Sequence, residues 1–134
     1  MQIHSLNLKA ETTAQMITLL KQGLPADSFD HLRQQLNISD NALAKIAQIP
    51  KRTLDRRRVT GRLKTDESER VLRIAQVYDM AVEVFGSPKK AESWLKKPAR
   101  GLGGKIPLEY VDTNLGAHEV IKLLGRIEYG IFPG

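Results

Sequence analysis

The stretch SDNALAKIAQIPKRTLDRRRVTGRLK, residues 39–64, decides the fold. Ser39 or Asp40 can cap a short helix, Asn41 to Ala47, whose buried side is Leu43, Ala44, Ile46 and Ala47. A turn through Gln48 and Ile49 follows. Pro50 then pre-sets φ for a new helix start, so Lys51 to Arg58 reads as a second helix that stops at Gly61. A helix-turn-helix needs a small residue where its helices cross, a tight turn, and an apolar anchor after the turn. Ala44, Ile49 and Leu54 fall at those places. Gln48 stands where glycine often closes the turn, which predicts a slightly wider turn here.

The charge of the chain sits in the same stretch. Between Lys51 and Lys64 there are seven bases and one acid, Asp55, which is +6; the other 14 bases and 14 acids cancel. A net charge concentrated in one short helix-turn-helix suits a surface that meets a polyanion. The N-terminal residues of the second helix of such a motif face base edges in the major groove. This assigns Lys51, Arg52, Thr53 and Arg56 to the reading face. Arg52 and Arg56, four apart, can each pair bidentately with guanine. Arg57, Arg58, Arg62 and Lys64 are assigned to phosphates.

Outward from this motif the chain reads as helices throughout. Glu11 to Gln22 places Ala14, Ile17, Leu20 and Leu24 at helical spacing, with Gly23 and Pro25 as the stop. Asp27 or Ser28 caps a helix with face Phe29, Leu32, Arg33 and Leu36, ending near Asn37. Asp66 with Glu69 forms a capping-box pattern ahead of Val71, Ile74, Ala75, Tyr78, Ala81, Val82 and Phe85, and Gly86 ends that run. Ser87 and Pro88 start a helix through Trp94 and Leu95. After a glycine-rich connection from Arg100 to Pro107 and a short turn at Leu108–Val111, Thr113 caps a last helix. Leu115, Val120, Leu123, Leu124 and Ile127 are its expected inward side. No strand-like alternation survives. The expected fold is all-α, with a DNA-binding region over 1–64 and a second helical domain over 65–134.

Enzyme chemistry finds little support. Gly101-Leu-Gly-Gly-Lys105 lacks the spaced first glycine of a phosphate loop, and Ile106 stands where Ser or Thr would ligate magnesium. His4, His31 and His118 are isolated, and with no cysteine a metal site is not expected. Asp66, Glu67 and Glu69 suit the positive end of a helix. No cofactor is expected. The absence of cysteine, signal-like N-terminus and long apolar run predicts a cytoplasmic protein without membrane contact.

A family resemblance adds to this reading. The register from Leu43-Ala44 to Thr53-Leu54 fits the Xre-repressor pattern. Further residues extend the match: Arg52-Thr-Leu-Asp-Arg-Arg, Leu63-Lys-Thr-Asp-Glu-Ser-Glu-Arg-Val-Leu-Arg, Val84-Phe-Gly-Ser, Ala91-Glu-Ser-Trp-Leu, Pro98-Ala-Arg-Gly-Leu-Gly-Gly-Lys-Ile-Pro-Leu-Glu, Asp112-Thr and Leu124-Gly-Arg-Ile-Glu-Tyr-Gly. In this order, over roughly Ile38 to Ile131, the chain resembles the Xre/MbcA/ParS family of bacterial antitoxins. The resemblance implies a type II antitoxin that represses its own operon, its C-terminal helix blocking the active-site cleft of a RES-domain toxin that destroys NAD⁺. On this chain the occluding residues would be Gly125, Arg126, Glu128, Tyr129, Gly130, Ile131 and Phe132. A homodimer on paired half-sites and a hetero-oligomeric toxin–antitoxin complex are the expected assemblies. The other reading is a stand-alone helix-turn-helix regulator or partition-type DNA-binding protein.

Overall fold

The structure, a computed structural model, describes residues 2–130. The chain divides into two compact units, one ending at Ala75 and the next beginning at Gln76. The division falls inside a helix, whereas the sequence reading places it before that helix, at 64/65.

The first unit opens with an antiparallel ribbon of two two-residue strands, β1 (Gln2–Ile3) and β2 (Leu8–Lys9), around a 3-10 turn at His4–Leu6. This ribbon and two isolated bridges are the only extended pairing among the described residues. Helices then follow: α1 (Thr13–Gln22), α2 (Asp27–Leu36), α3 (Asp40–Ala47), α4 (Lys51–Thr60) and the first turns of α5 (Thr65–Phe85). Their starts follow local chemistry. Thr12 and Ser39 turn hydroxyls onto the free N–H groups of Gln15 and Ala42, each at 3.1 Å, satisfying donors that a helix leaves open. Phe29, Leu32, Leu36, Leu43, Ile49 and Leu54 are all buried to 1 % or less.

The segments before α2 and after α4 are clasped together. The Ala26 N–H donates to the Gly61 carbonyl and the Leu63 N–H to the Leu24 carbonyl, both at 2.9 Å, across a bridge between Pro25 and Arg62. Gly23 enters this clasp with φ of +90°, and a Cβ there would lie 1.9 Å from the Leu63 carbonyl oxygen. Only glycine fits both demands.

Three expectations for this unit are corrected. The inward residue of α1 is Met16, while Ile17 is 46 % exposed and Ala14 is exposed. The stripe through Met16, Leu19 and Leu20 has the same helical period, and packing selects it. Second, α5 starts at Thr65, and its cap is not the Asp66–Glu69 pair. The Glu67 carboxylate, three residues into the helix, accepts from the Lys64 N–H at 2.8 Å, which is the returning half of a capping box. Third, Gln48 itself takes the left-handed conformation (φ 56°, ψ 43°), so the turn closes as glycine would close it rather than widening. The Arg70 guanidinium braces that turn, donating to the carbonyls of Ala47 (2.7 Å) and Gln48 (3.3 Å).

The second unit holds the rest of α5, then α6 (Pro88–Leu95), a 3-10 turn at Arg100–Leu102, α7 (Pro107–Tyr110) and α8 (Asn114–Glu128). Ser87 caps α6 and Thr113 caps α8, as the sequence predicts. The glycine-rich connection closes on itself: Ala99 donates to Lys105 and Gly104 donates back to Ala99, both at 2.9 Å. Phe85 and Trp94 meet with ring centroids 5.4 Å apart. Leu115, expected inside, is 74 % exposed; the buried side of α8 is Gly116, Ala117, Val120, Leu123 and Leu124. Position 116 has to be glycine, because a Cβ would stand 1.8 Å from the Tyr110 carbonyl oxygen.

Candidate nucleic-acid and partner-binding faces

The helix-turn-helix expected at 39–58 is α3, the turn at Gln48–Pro50, and α4. Leu54 is the one buried residue of α4 and anchors the helix by its inward side. With 3.6 residues per turn, the stripe opposite Leu54 carries Arg52, Arg56 and Val59. Lys51, Arg52 and Arg56 are exposed and make no ion pair among the described residues; Thr53 is half-buried beside them. Arg52 and Arg56 share the outward face, and Lys51 and Thr53 lie on its two flanks. Val59 extends it by a turn and is 88 % exposed.

The four bases assigned to phosphates are placed differently from one another. Arg57 points back into the unit, where its Nε and Nη2 donate to the two carboxylate oxygens of Glu67 at 2.8 and 3.0 Å. Both side chains are largely covered, at 13 % and 8 % exposure. Burial alone pushes the Glu67 carboxyl up, but the hydrogen bonds from Arg57 and the Lys64 N–H, with the charge of Arg57, outweigh it and hold the group below its ordinary range. The hydrogen bond to Glu67 raises Arg57 in turn.

Arg58 also serves the fold. It bonds Asp30 at 2.6 Å and Asp40 at 3.1 Å, lies 3.8 Å from Asp55, and stacks over Phe29 at 5.7 Å. Desolvation would lower its pKa, yet bonds and charge from Asp30 and Asp40 raise it. Arg62 donates to the Gly23 carbonyl at 2.8 Å. Of the four, Lys64 alone has an exposed side chain without such a partner among the described residues. The +6 of the stretch is therefore partly cancelled in space, by carboxylates 10, 28 and 18 residues distant along the chain.

One base escaped the sequence reading. Lys45 on α3 lines an open recess of about 410 Å³ together with Asn41, Ala44, Gln48, Ile49, Pro50 and Lys51. It stands beside the entry of α4. Its helical spacing from Asn41 and Gln48 was the available signal, obscured because its charge balances an acid elsewhere.

At the other end of the chain, α8 finishes in exposed polar and aromatic side chains. Arg126, Glu128 and Tyr129 are exposed, Tyr129 at 76 %, and Gly125 is half-buried. Gly130 has φ of +69°. Tyr129 thus projects outward instead of folding back on its own unit. Ile131 and Phe132, also expected in this face, lie outside the described residues. Among the described residues there is no group of three or more metal-ligating side chains, and no helix long and apolar enough to cross a membrane.

Two family models match the chain. Residues 15–76 match an antitoxin Xre-like helix-turn-helix domain, and residues 80–130 match the antitoxin Xre/MbcA/ParS C-terminal toxin-binding domain. Among similar proteins, an antitoxin Xre of Yersinia enterocolitica is 36 % identical over 129 residues, covering 95 % of this chain and 87 % of the relative. An antitoxin Xre of Photorhabdus laumondii is 39 % identical over 115 residues, covering 84 % and 78 %. A Sphingobium protein named Prs ADP-ribosylating antitoxin is 29 % identical over 126 residues, covering 87 % and 79 %.

Proposed function

Because the chain belongs to the Xre/MbcA/ParS family of antitoxins, and is thus the antitoxin of a toxin–antitoxin system, we propose that it works through two separate faces: α4 binds operator DNA in autorepression, and the end of α8 inhibits a RES-domain toxin that consumes NAD⁺. The DNA half is carried by Arg52 and Arg56, exposed on the stripe opposite Leu54 and without an ion pair among the described residues. Arg52, Arg56, Lys51 and Thr53 read base edges, and Lys45 and Lys64 hold phosphates. Arg57 and Arg58 hold α4 in place instead. Homodimers on paired half-sites fit this motif.

The inhibitory half is carried by Tyr129, an aromatic side chain left exposed at the end of a helix in a unit that matches a toxin-binding domain. An aromatic anchor with a neighbouring arginine suits a partner's cleft. Gly125, Arg126, Glu128, Tyr129 and Gly130 form this face, with Ile131 and Phe132 following. The name of the Sphingobium relative fits the same cosubstrate, since NAD⁺ is the donor in ADP-ribosylation.

Two measurements test the halves separately. For DNA, the two phosphates held by Lys45 and Lys64 in each protomer give a fall in log affinity with log salt of about −2 per protomer. Lys64→Ala lowers that slope on every duplex, while Arg52→Ala relaxes sequence preference. Salt-independent binding refutes the DNA half. For inhibition, co-expression with a RES toxin preserves cellular NAD⁺ with the full chain, and deletion of residues 125–134 abolishes protection. Protection that survives the deletion refutes occlusion by this face. An intact NAD⁺ pool with ADP-ribose appearing on a host protein redirects the reading to an ADP-ribosylating toxin.

A further inference from the structure

We infer that Val59 is a specificity-determining residue that reads the 5-methyl group of thymine, on the same stripe of α4 as Arg52 and Arg56. The inference rests on the DNA-binding reading of α4. Val59 is 88 % exposed on a ten-residue helix whose other outward side chains are charged or polar. An isolated exposed valine needs no explanation by itself. Its position supplies one: residues 52, 56 and 59 follow i, i+4, i+7 spacing and lie opposite buried Leu54.

The flanking arginines fix the chemistry of the surface that approaches. A face carrying Lys51, Arg52 and Arg56 without ion-pair partners among the described residues accepts a polyanion, and the helix is narrow enough for the major groove. Within that groove the one apolar group offered by any base is the thymine methyl. Val59 has no hydrogen-bonding group, so it discriminates by contact with that methyl and by leaving other bases with an unpaired edge. From residue 52 to residue 59 the helix rises about 10 Å, so the two side chains meet different base pairs of the groove. The operator is therefore expected to carry a guanine read by arginine and, at a separate base pair, a thymine.

The experiment uses the full chain and a pool of random duplexes. Sites selected by the parent protein are resynthesised with each thymine replaced in turn by deoxyuridine, which removes only the methyl. At one position the parent loses about fourfold in affinity, the effect of one buried methyl. Val59→Ala binds the thymine and deoxyuridine sites equally and as weakly as the parent binds deoxyuridine. Val59 is not packed, so the substitution leaves folding intact, which a matched thermal midpoint verifies. If Val59→Ala distinguishes thymine from deoxyuridine as the parent does, or selects the same sites with the same strength, the inference is overturned while DNA binding stands. If the parent enriches no duplex, the DNA-binding reading itself falls, and this inference with it.

Discussion

Two glycines in one helix should respond to the same substitution with opposite signs. At Gly116 an alanine Cβ would stand 1.8 Å from the Tyr110 carbonyl oxygen and 3.0 Å from the Thr113 hydroxyl. Ordinary contact needs well over 3 Å, so the end of α7 or the first turn of α8 has to move by more than an ångström. Moving it loosens the Thr113 cap, whose hydroxyl accepts from the Gly116 N–H at 2.9 Å. Forced repacking costs about 1–3 kcal/mol and a lost cap about 1 kcal/mol. The intrinsic gain of alanine over glycine in a helix offsets about 0.5–1 kcal/mol. The net expectation for Gly116→Ala is destabilisation by about 1–3.5 kcal/mol. For a unit of this size that lowers the thermal midpoint by about 5–25 °C. Gly125→Ala meets nothing within 4 Å and keeps only the helix gain, so it should stabilise by up to about 1 kcal/mol. Urea and thermal denaturation followed by circular dichroism measure both. A Gly116→Ala protein as stable as its parent would refute the close backbone approach of α7 to α8.

The clasp in the first unit makes a parallel prediction. Gly23→Ala meets both the Leu63 carbonyl and a φ of +90°, so it should destabilise by at least about 2 kcal/mol, read from the urea midpoint; no change would place Gly23 elsewhere. The Arg57–Glu67 pair predicts a pH dependence. Glu67 titrates lower when folded than when unfolded, so its contribution is whole above the ordinary carboxylate value of about 4.3. It is lost as pH falls through the folded value. Glu67→Gln should therefore be less stable than the parent at pH 7, with the gap narrowing below about pH 4. A gap that stays constant down to pH 2 refutes the depressed carboxyl.

What the sequence disclosed was largely local. Ser39, Ser87 and Thr113 announce helix starts because a cap bonds only to a residue three positions on. The helix-turn-helix was legible because Ala44, Ile49 and Leu54 sit at fixed short offsets. The site residues divide by the same rule. Arg52 and Arg56 are exposed where α4 turns them outward from Leu54. The fates of Arg57, Arg58 and Arg62 were illegible because their partners Glu67, Asp30, Asp40 and Gly23 come from other elements. Which side of α1 is covered, Met16 or Ile17, and the exposure of Leu115, were likewise matters of tertiary packing, since periodicity offers more than one face. The cap of α5 was misplaced by two residues because Glu67 and Glu69 both sit three positions after a plausible start.

The Arg58 cluster has an electrical consequence for the face beside it. Asp30, Asp40 and Asp55 lie close to α4, and left bare they would repel a phosphate backbone approaching Arg52 and Arg56. Arg58, with Arg33 also on Asp40 at 3.1 Å, offsets part of that charge from inside the fold, with Phe29 beneath the Arg58 guanidinium. It acts as a built-in counterion, held in place by the chain itself. A lysine there would supply the charge but not the planar fork that spans separate carboxylates. The protein thus shapes a positive field by cancelling nearby negative charge as well as by displaying bases.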